Sequence, residues 1–360
     1  MKIKKILLKL NSYCEFPKVE SRHLNKFTTF DEELGWCTKP NMKKKDKSGT
    51  SLNQLNHTSS ENDIPFYSTD FTASRTPFVP TDPINQTISC YGDSFCMSRE
   101  VNDNQTWEYF LGQKLNSLVY NYGVGNYGAD QALLRLERDY SKNPSNIVIF
   151  AVTSVTCSRI VSVYKHYYEQ GNIFAVKPRF VINDEELTLI KSPIINKQDL
   201  MNLKKYKSHF RKFDGHYEFW KKNRNPILNK INQEKHKRID YELSFWQKEQ
   251  NLFIKILHRL NDFSIKNNVP VIFLLMHHGR FLKDFDKKPW EDVILLSKQK
   301  NKAIMHIDSY EWLINYKDKN HLYTKPHLKG HHSSIGNELI AKKLAEYLLR
   351  KGLIKKGYIR

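Results

Sequence analysis

The chain has 360 residues, 39% of them hydrophobic and 12% aromatic, which is enough to bury a large core and excludes wholesale disorder. Its formal net charge of +20, from 58 Lys and Arg against 38 Asp and Glu, comes without a groove-reading motif, so no specific nucleic-acid partner is expected. The five cysteines are odd in number and contain no C-x-x-C pair, which excludes a zinc knuckle and a disulfide scaffold.

At the N-terminus, residues 1–10 alternate lysine with Ile3, Ile6, Leu7, Leu8 and Leu10. The run is too short to span a bilayer and no cleavage site follows it, so the expected location is cytoplasmic. The expected structure is a helix packed on its own domain. Contact with acidic lipid at the membrane periphery, or with anionic glycan, is the partner such basic segments would allow. Residues 13–80, punctuated by Pro17, Pro40, Pro65, Pro77 and Pro80, read as an irregular lead-in with short strands. Trp36 marks an ordered island within it, at 31–41.

From Thr87 the pattern changes to alternating strand, loop and helix. A β-prone run ends in Gly92-Asp93-Ser94, and a helix follows at 106–115. The second strand, at 117–121, leads into Gly123-Val-Gly-Asn-Tyr-Gly128 and a helix at 130–140. Apolar runs at 146–152 and 269–275 have the length of buried central strands, and 302–307 is a weaker fifth. Between them, 165–245 interrupts the alternation with a hairpin (179–182 with 187–190). Beyond the hairpin, the run 197–238 mixes lysines with aromatics and reads as an amphipathic helical insertion with a solvated basic face. The expected fold is a three-layer α/β/α domain with a mostly parallel five-stranded sheet of flavodoxin-like type. The expected organisation is an N-terminal extension at 1–84, this domain at 85–350 with its insertion at about 165–245, and a basic tail at 351–360.

Gly123, Gly125 and Gly128 spell G-x-G-x-x-G between a strand and a helix. A dinucleotide site also needs an acid closing the following strand, and that strand ends Phe150-Ala-Val-Thr-Ser154 instead. No cofactor is expected. His332 and the pair His277-His278 lack a further ligand at suitable spacing, so no metal is expected either.

Ser94 stands where a parallel sheet exposes a hydroxyl, at the C-terminal end of a strand on a glycine turn. His331, in Gly330-His-His-Ser-Ser-Ile-Gly-Asn337, precedes a terminal helix at 338–350. Winding the sheet would bring an imidazole from that position toward the first strand, as a serine nucleophile requires.

With these residues in place the chain resembles the SGNH (GDSL-like) hydrolase superfamily over most of residues 31–350. Gly92-Asp93-Ser94-Phe95 is similar to the first family block, Asn121–Gly128 with the helix after it to the second, and His331 with Ser333, Gly336 and Asn337 to the last. The stretches at 33–41 and 177–180 look like a bacterial branch found with surface-polysaccharide genes. The resemblance implies an ester hydrolase, with Ser94 as nucleophile and His331 as base, acting on O-acyl groups of a carbohydrate. An O-acyltransferase and a glycan-binding protein without turnover are the alternatives.

The chain departs from the family in three places. Leu328 and Lys329 stand where the family has an aspartate before the histidine, so a backbone carbonyl or a distant acid, Asp308 or Asp318, is expected to orient His331. Asn126 replaces a glycine of the second block, and its backbone N–H joins that of Ser94 as an expected oxyanion donor. The third-block asparagine has no counterpart, which leaves the hydroxyl of Ser154 or Thr156 as its expected stand-in.

Overall fold

The computed structural model describes residues 14–45, 66–80, 86–169, 171–223, 235–283 and 285–354. The segment at 1–10, most of the polar run at 43–62, part of the basic insertion and the last six residues lie outside the described residues.

A five-stranded parallel sheet is built from β1 (Thr87–Gly92), β2 (Leu118–Asn121), β3 (Ile147–Thr153), β4 (Val271–Met276) and β5 (Ile304–Asp308), in the spatial order β5-β4-β3-β1-β2. All residues of β3 and β4 are buried, as continuous apolar runs in the middle of a parallel sheet must be. The edge strands β2 and β5 mix buried with half-buried positions. Because every strand runs the same way, the residues that follow β1, β2, β3, β4 and β5 gather along one edge of the sheet.

Helices α1 (Trp107–Leu115), α2 (Ala129–Asp139), α3 (Gln250–Asn267), α4 (Glu291–Lys300) and α5 (Ser334–Arg350) complete the expected three-layer arrangement. The Thr106 hydroxyl caps α1 by accepting the Tyr109 N–H, and Asn116, at φ 47°, ends that helix. α5 packs on α1, where Asn337 Nδ2 donates to Gln105 O at 2.9 Å. α3 is tied to the other helical group by Arg259 with Glu137 and by the edge-on contact of Phe263 with Tyr140. The terminal helix begins at Ser334, earlier than its apolar pattern suggests. Ser333 caps it by accepting the Gly336 N–H at 3.2 Å, so polar Ser-Ile-Gly-Asn forms its first turn.

The chain divides into two compact units, residues 1–37 with 157–255 and residues 38–156 with 256–360. Within the second unit, the segment around Arg75 is pinned to the end of β2. The Arg75 N–H donates to Asn121 O at 2.8 Å, and the Asn121 N–H donates to Ser74 Oγ at 2.8 Å. The first unit contains the hairpin, Arg179–Asn183 with Glu186–Ile190. Its core buries Tyr164, Tyr167, Phe210 and Trp220 with Leu200 and Leu203. The aromatics of the basic run therefore pack inward, while Lys204, Lys205, Lys207, Lys221 and Lys222 stay exposed, an amphipathic arrangement. Among the described residues, no helix is long and apolar enough to cross a membrane.

Candidate active site

β1 delivers its last residues into a tight turn organised by Asp93. Thr153, at the end of β3, donates its N–H and its hydroxyl to Asp93 Oδ2 at 3.0 and 2.6 Å. The Phe95 N–H donates to Asp93 Oδ1 at 2.9 Å, and the Met97 N–H to Asp93 O at 2.8 Å. The aspartate of the first block is thus a buried staple between two strand ends. It fixes where Ser94 can stand. With the amides of Phe95, Met97 and Ser98 donating within the turn, that of Ser94 donates to no group among the described residues.

The loop after β2 presses against this turn. A Cβ on Gly123 would lie 2.2 Å from the Met97 nitrogen, so only glycine permits the approach. The glycine pattern at 123–128 thus serves loop packing here. Asn126 takes the left-handed backbone its position demands, at φ 71°. Ser154 follows β3 and is fully buried, with its N–H donating to Met276 O at 3.0 Å.

His331 sits in β7 (Lys329–His332), which pairs antiparallel with β6 (Tyr323–Lys325). Its ring lies 4.9 Å from the ring of Phe95, the residue after Ser94, and 6.5 Å from His278 at the end of β4. The structure thus brings the histidine to the turn that carries Ser94, with no hydrogen bond between Ser94 Oγ and the His331 ring. Catalytic hydrogen bonds are often loose before substrate binds.

The carboxylate at His331 is Glu100, which sequence reasoning did not single out. Glu100 Oε1 lies 3.4 Å from His331 Nδ1, and Glu100 Oε2 accepts the His331 backbone N–H at 3.2 Å. The contact with the ring is an ion-pair contact outside hydrogen-bond geometry, and Nδ1 is buried with no hydrogen bond of its own. Thr324 donates its hydroxyl to Oε2, and Lys325 Nζ lies 3.0 Å from Oε1. Burial would raise the Glu100 carboxyl, but these contacts with His331, Thr324 and Lys325 outweigh it and hold the group well below the usual carboxylate range.

Neither acid expected from the sequence to orient His331 does so. Asp308 Oδ1 lies 2.6 Å from His277 Nε2, and Asp308 Oδ2 accepts the Trp290 indole N–H at 2.8 Å. Asp318 lies 3.2 Å from Nδ1 of exposed His321. Each carboxylate is claimed by another histidine, in one case by direct succession along the sheet edge and in the other within a single turn. Also missed from the sequence was Arg75. Its guanidinium donates to Met97 O, Ser98 O and Val101 O at 2.8, 2.6 and 2.5 Å and pairs with Asp103 at 2.7 Å. It clamps the loop that carries Glu100.

No protein-family model and no curated protein matches the chain. Among solved structures it is similar to a lipase/acylhydrolase from Enterococcus faecalis, at 11% identity and a TM-score of 0.39, over 75% of this chain and 97% of the other. It is likewise similar to a catalytic mutant of an acetylxylan esterase from Geobacillus stearothermophilus, at 9% identity and 0.39, over 76% and 99%. A third is a psychrotrophic esterase from a Pseudoalteromonas species, at 11% and 0.38, over 74% and 97%. These proteins are esterases and lipases, the class the sequence motifs resemble. At such identities and TM-scores, nothing about the reaction of this chain is drawn from them.

Proposed function

We propose that the protein is a serine-dependent ester hydrolase of the SGNH type, with Ser94 as nucleophile and His331 as base. The observation that carries this reading is the arrival of His331, with a carboxylate behind its Nδ1, against the turn that presents Ser94. Oriented in this way, Nε2 is the nitrogen turned away from Glu100 and is the one that would take a proton from the serine hydroxyl.

In that reaction Ser94 Oγ attacks the acyl carbonyl while its proton passes to His331. The carbonyl oxygen gains negative charge beside the Ser94 and Asn126 amides, each such donor being worth about 3 kcal/mol. Collapse of the intermediate expels the alcohol, which takes the proton back from His331. Water repeats the sequence in reverse and frees the acid. Delivery of the acyl group to a second hydroxyl would make the same site a transferase. The sequence resemblance to a polysaccharide-associated branch points to O-acyl groups on a glycan as substrate.

The test is release of acetate from acetylated oligosaccharides and from a chromogenic ester, together with fluorophosphonate labelling mapped by mass spectrometry. Ser94→Ala should abolish both label and release, a loss of at least about 10³-fold. Full activity in that variant would remove the nucleophile. Glycan binding by a wild-type protein that neither labels nor turns over would identify a binder that has kept only the shape.

A further inference from the structure

Where the aspartate preceding the histidine would stand, this chain has Leu328 and Lys329, both without a carboxylate. A serine–histidine pair without an orienting acid loses on the order of 10⁴ in rate where the triad depends on it. The structure supplies an acid by another route. Glu100 lies on the loop after the nucleophile turn, and its side chain crosses to the β6–β7 hairpin, where it contacts both the backbone N–H and the ring of His331.

Three features of the surrounding backbone are arranged around that crossing. Glu100 itself has φ 71°, in the left-handed region that a non-glycine residue seldom occupies without being held there. The hold is the Arg75 guanidinium, which accepts no hydrogen bond and donates to three carbonyls on either side of Glu100. Gly330, at φ 81°, is the third. A Cβ there would lie 2.6 Å from Glu100 Oε2 and 2.2 Å from Thr324 Oγ1, so a larger residue would push the carboxylate or its hydroxyl partner from its present place.

We propose that Glu100 is the positioning residue for His331, replacing the acid that the histidine's own loop lacks. The inference rests on the serine-esterase reading above. Thr324 and Lys325 also hold the carboxylate, leaving Oε1 shared between the ammonium of Lys325 and the imidazole. The groups facing the ring or its carboxylate are Glu100 from the nucleophile loop, Lys325 from β6, His278 from the end of β4, and His332 beside it on β7. Glu100 is the acid among them. Its ionised oxygen would hold Nδ1–H as donor, so that Nε2 stays unprotonated for the serine, and would stabilise the imidazolium formed as Ser94 attacks.

The experiment compares wild type with Glu100→Gln and Glu100→Asp, reading the rate of fluorophosphonate labelling at Ser94, the pH profile of kcat/KM and the folded fraction by thermal melting. Glu100→Gln preserves the shape and removes the charge. Its labelling rate per folded molecule should fall by about 10²- to 10⁴-fold. The acid limb of its profile should move to lower pH by about one unit or more, because the imidazolium loses its counter-ion. Glu100→Asp, one methylene short, should recover part of the rate and most of the acid limb. A merely structural glutamate would lower the folded fraction and leave the limb in place. Labelled, active wild type with an unchanged Glu100→Gln profile overturns this inference alone. Wild type that neither labels at Ser94 nor releases acyl groups overturns the esterase reading and this inference with it.

Discussion

His277 with Asp308 and His331 with Glu100 are two carboxylate–imidazole pairs at the same edge of the sheet, 2.6 Å apart in the first and 3.4 Å in the second. In the first, the imidazole is fully buried against Trp290 and the carboxylate also accepts the Trp290 indole N–H and the Tyr310 backbone N–H. In the second, the acid is divided among a ring, a hydroxyl, an ammonium and a backbone amide, and the ring keeps some exposure beside the turn that carries Ser94. The tighter pair is the closer contact and the less accessible one, since its imidazole is sealed among the rings of Trp290 and Tyr310. Closeness of pairing and accessibility run in opposite directions here.

The sharpest way to break that contrast is to remove each imidazole in turn. His331→Ala should cost at least about 10³-fold in Ser94 labelling per folded molecule, whereas His277→Ala should lower stability and leave the labelling of folded protein within a few-fold. Equal losses in both variants would mean that the two pairs act as one unit.

A smaller effect is expected when the acid of the tight pair is removed. Asp308→Ala should destabilise the protein by about 2 kcal/mol in chemical denaturation, since hydrogen bonds to a charged group are lost. Burial would raise the Asp308 carboxyl, but His277, the Tyr310 amide and Trp290 outweigh it and lower its pKa. An acid whose folded pKa is depressed contributes stability above its unfolded pKa, near 4, and loses it as pH falls through the folded value. The gap between wild type and variant should therefore be full at neutral pH and narrow in acid. A gap that widens as pH falls would contradict the pairing.

The smallest effect belongs to a third carboxyl close by. Glu108 is fully buried against the turn that carries Ser94, where burial pushes its pKa well up, and Ser98 Oγ donates to it at 3.2 Å. An acid with a raised folded pKa costs stability as pH rises above its unfolded value, because only the unfolded chain releases the proton freely. Glu108→Gln keeps the shape without that cost, and its stability at neutral pH should match or exceed wild type, within about 1 kcal/mol. A loss of several kcal/mol would show that the group is ionised in place.

The sheet was legible in the sequence because strands such as Ile147–Thr153 and Val271–Met276 are unbroken apolar runs whose burial leaves no other reading. The candidates Ser94 and His331 stood out because one follows a strand on a glycine turn and the other lies just ahead of the terminal helix. Glu100 did not, since its partner is 231 positions along the chain and its loop owes its shape to Arg75, in a stretch that reads as irregular. Asp308 drew notice for ending a strand, yet which histidine an acid meets is decided by the strand beside it. Leu275 and Asp308 stand in register, which places His277 two residues on within reach. Pairing across a sheet leaves no trace in local spacing.

Gly330 has a bearing on how other proteins of this kind are to be recognised. Pattern searches that demand an acid just upstream of the histidine at the position of His331 would discard this chain as a degenerate copy. Under the role proposed for Glu100, a glutamate six positions after the serine, joined to a glycine immediately ahead of the histidine, is the mark to look for instead. If Glu100 positions His331 as proposed, sequences that carry both would have moved the acid from the histidine's hairpin to the loop after the serine, and those that carry one without the other would lack it altogether.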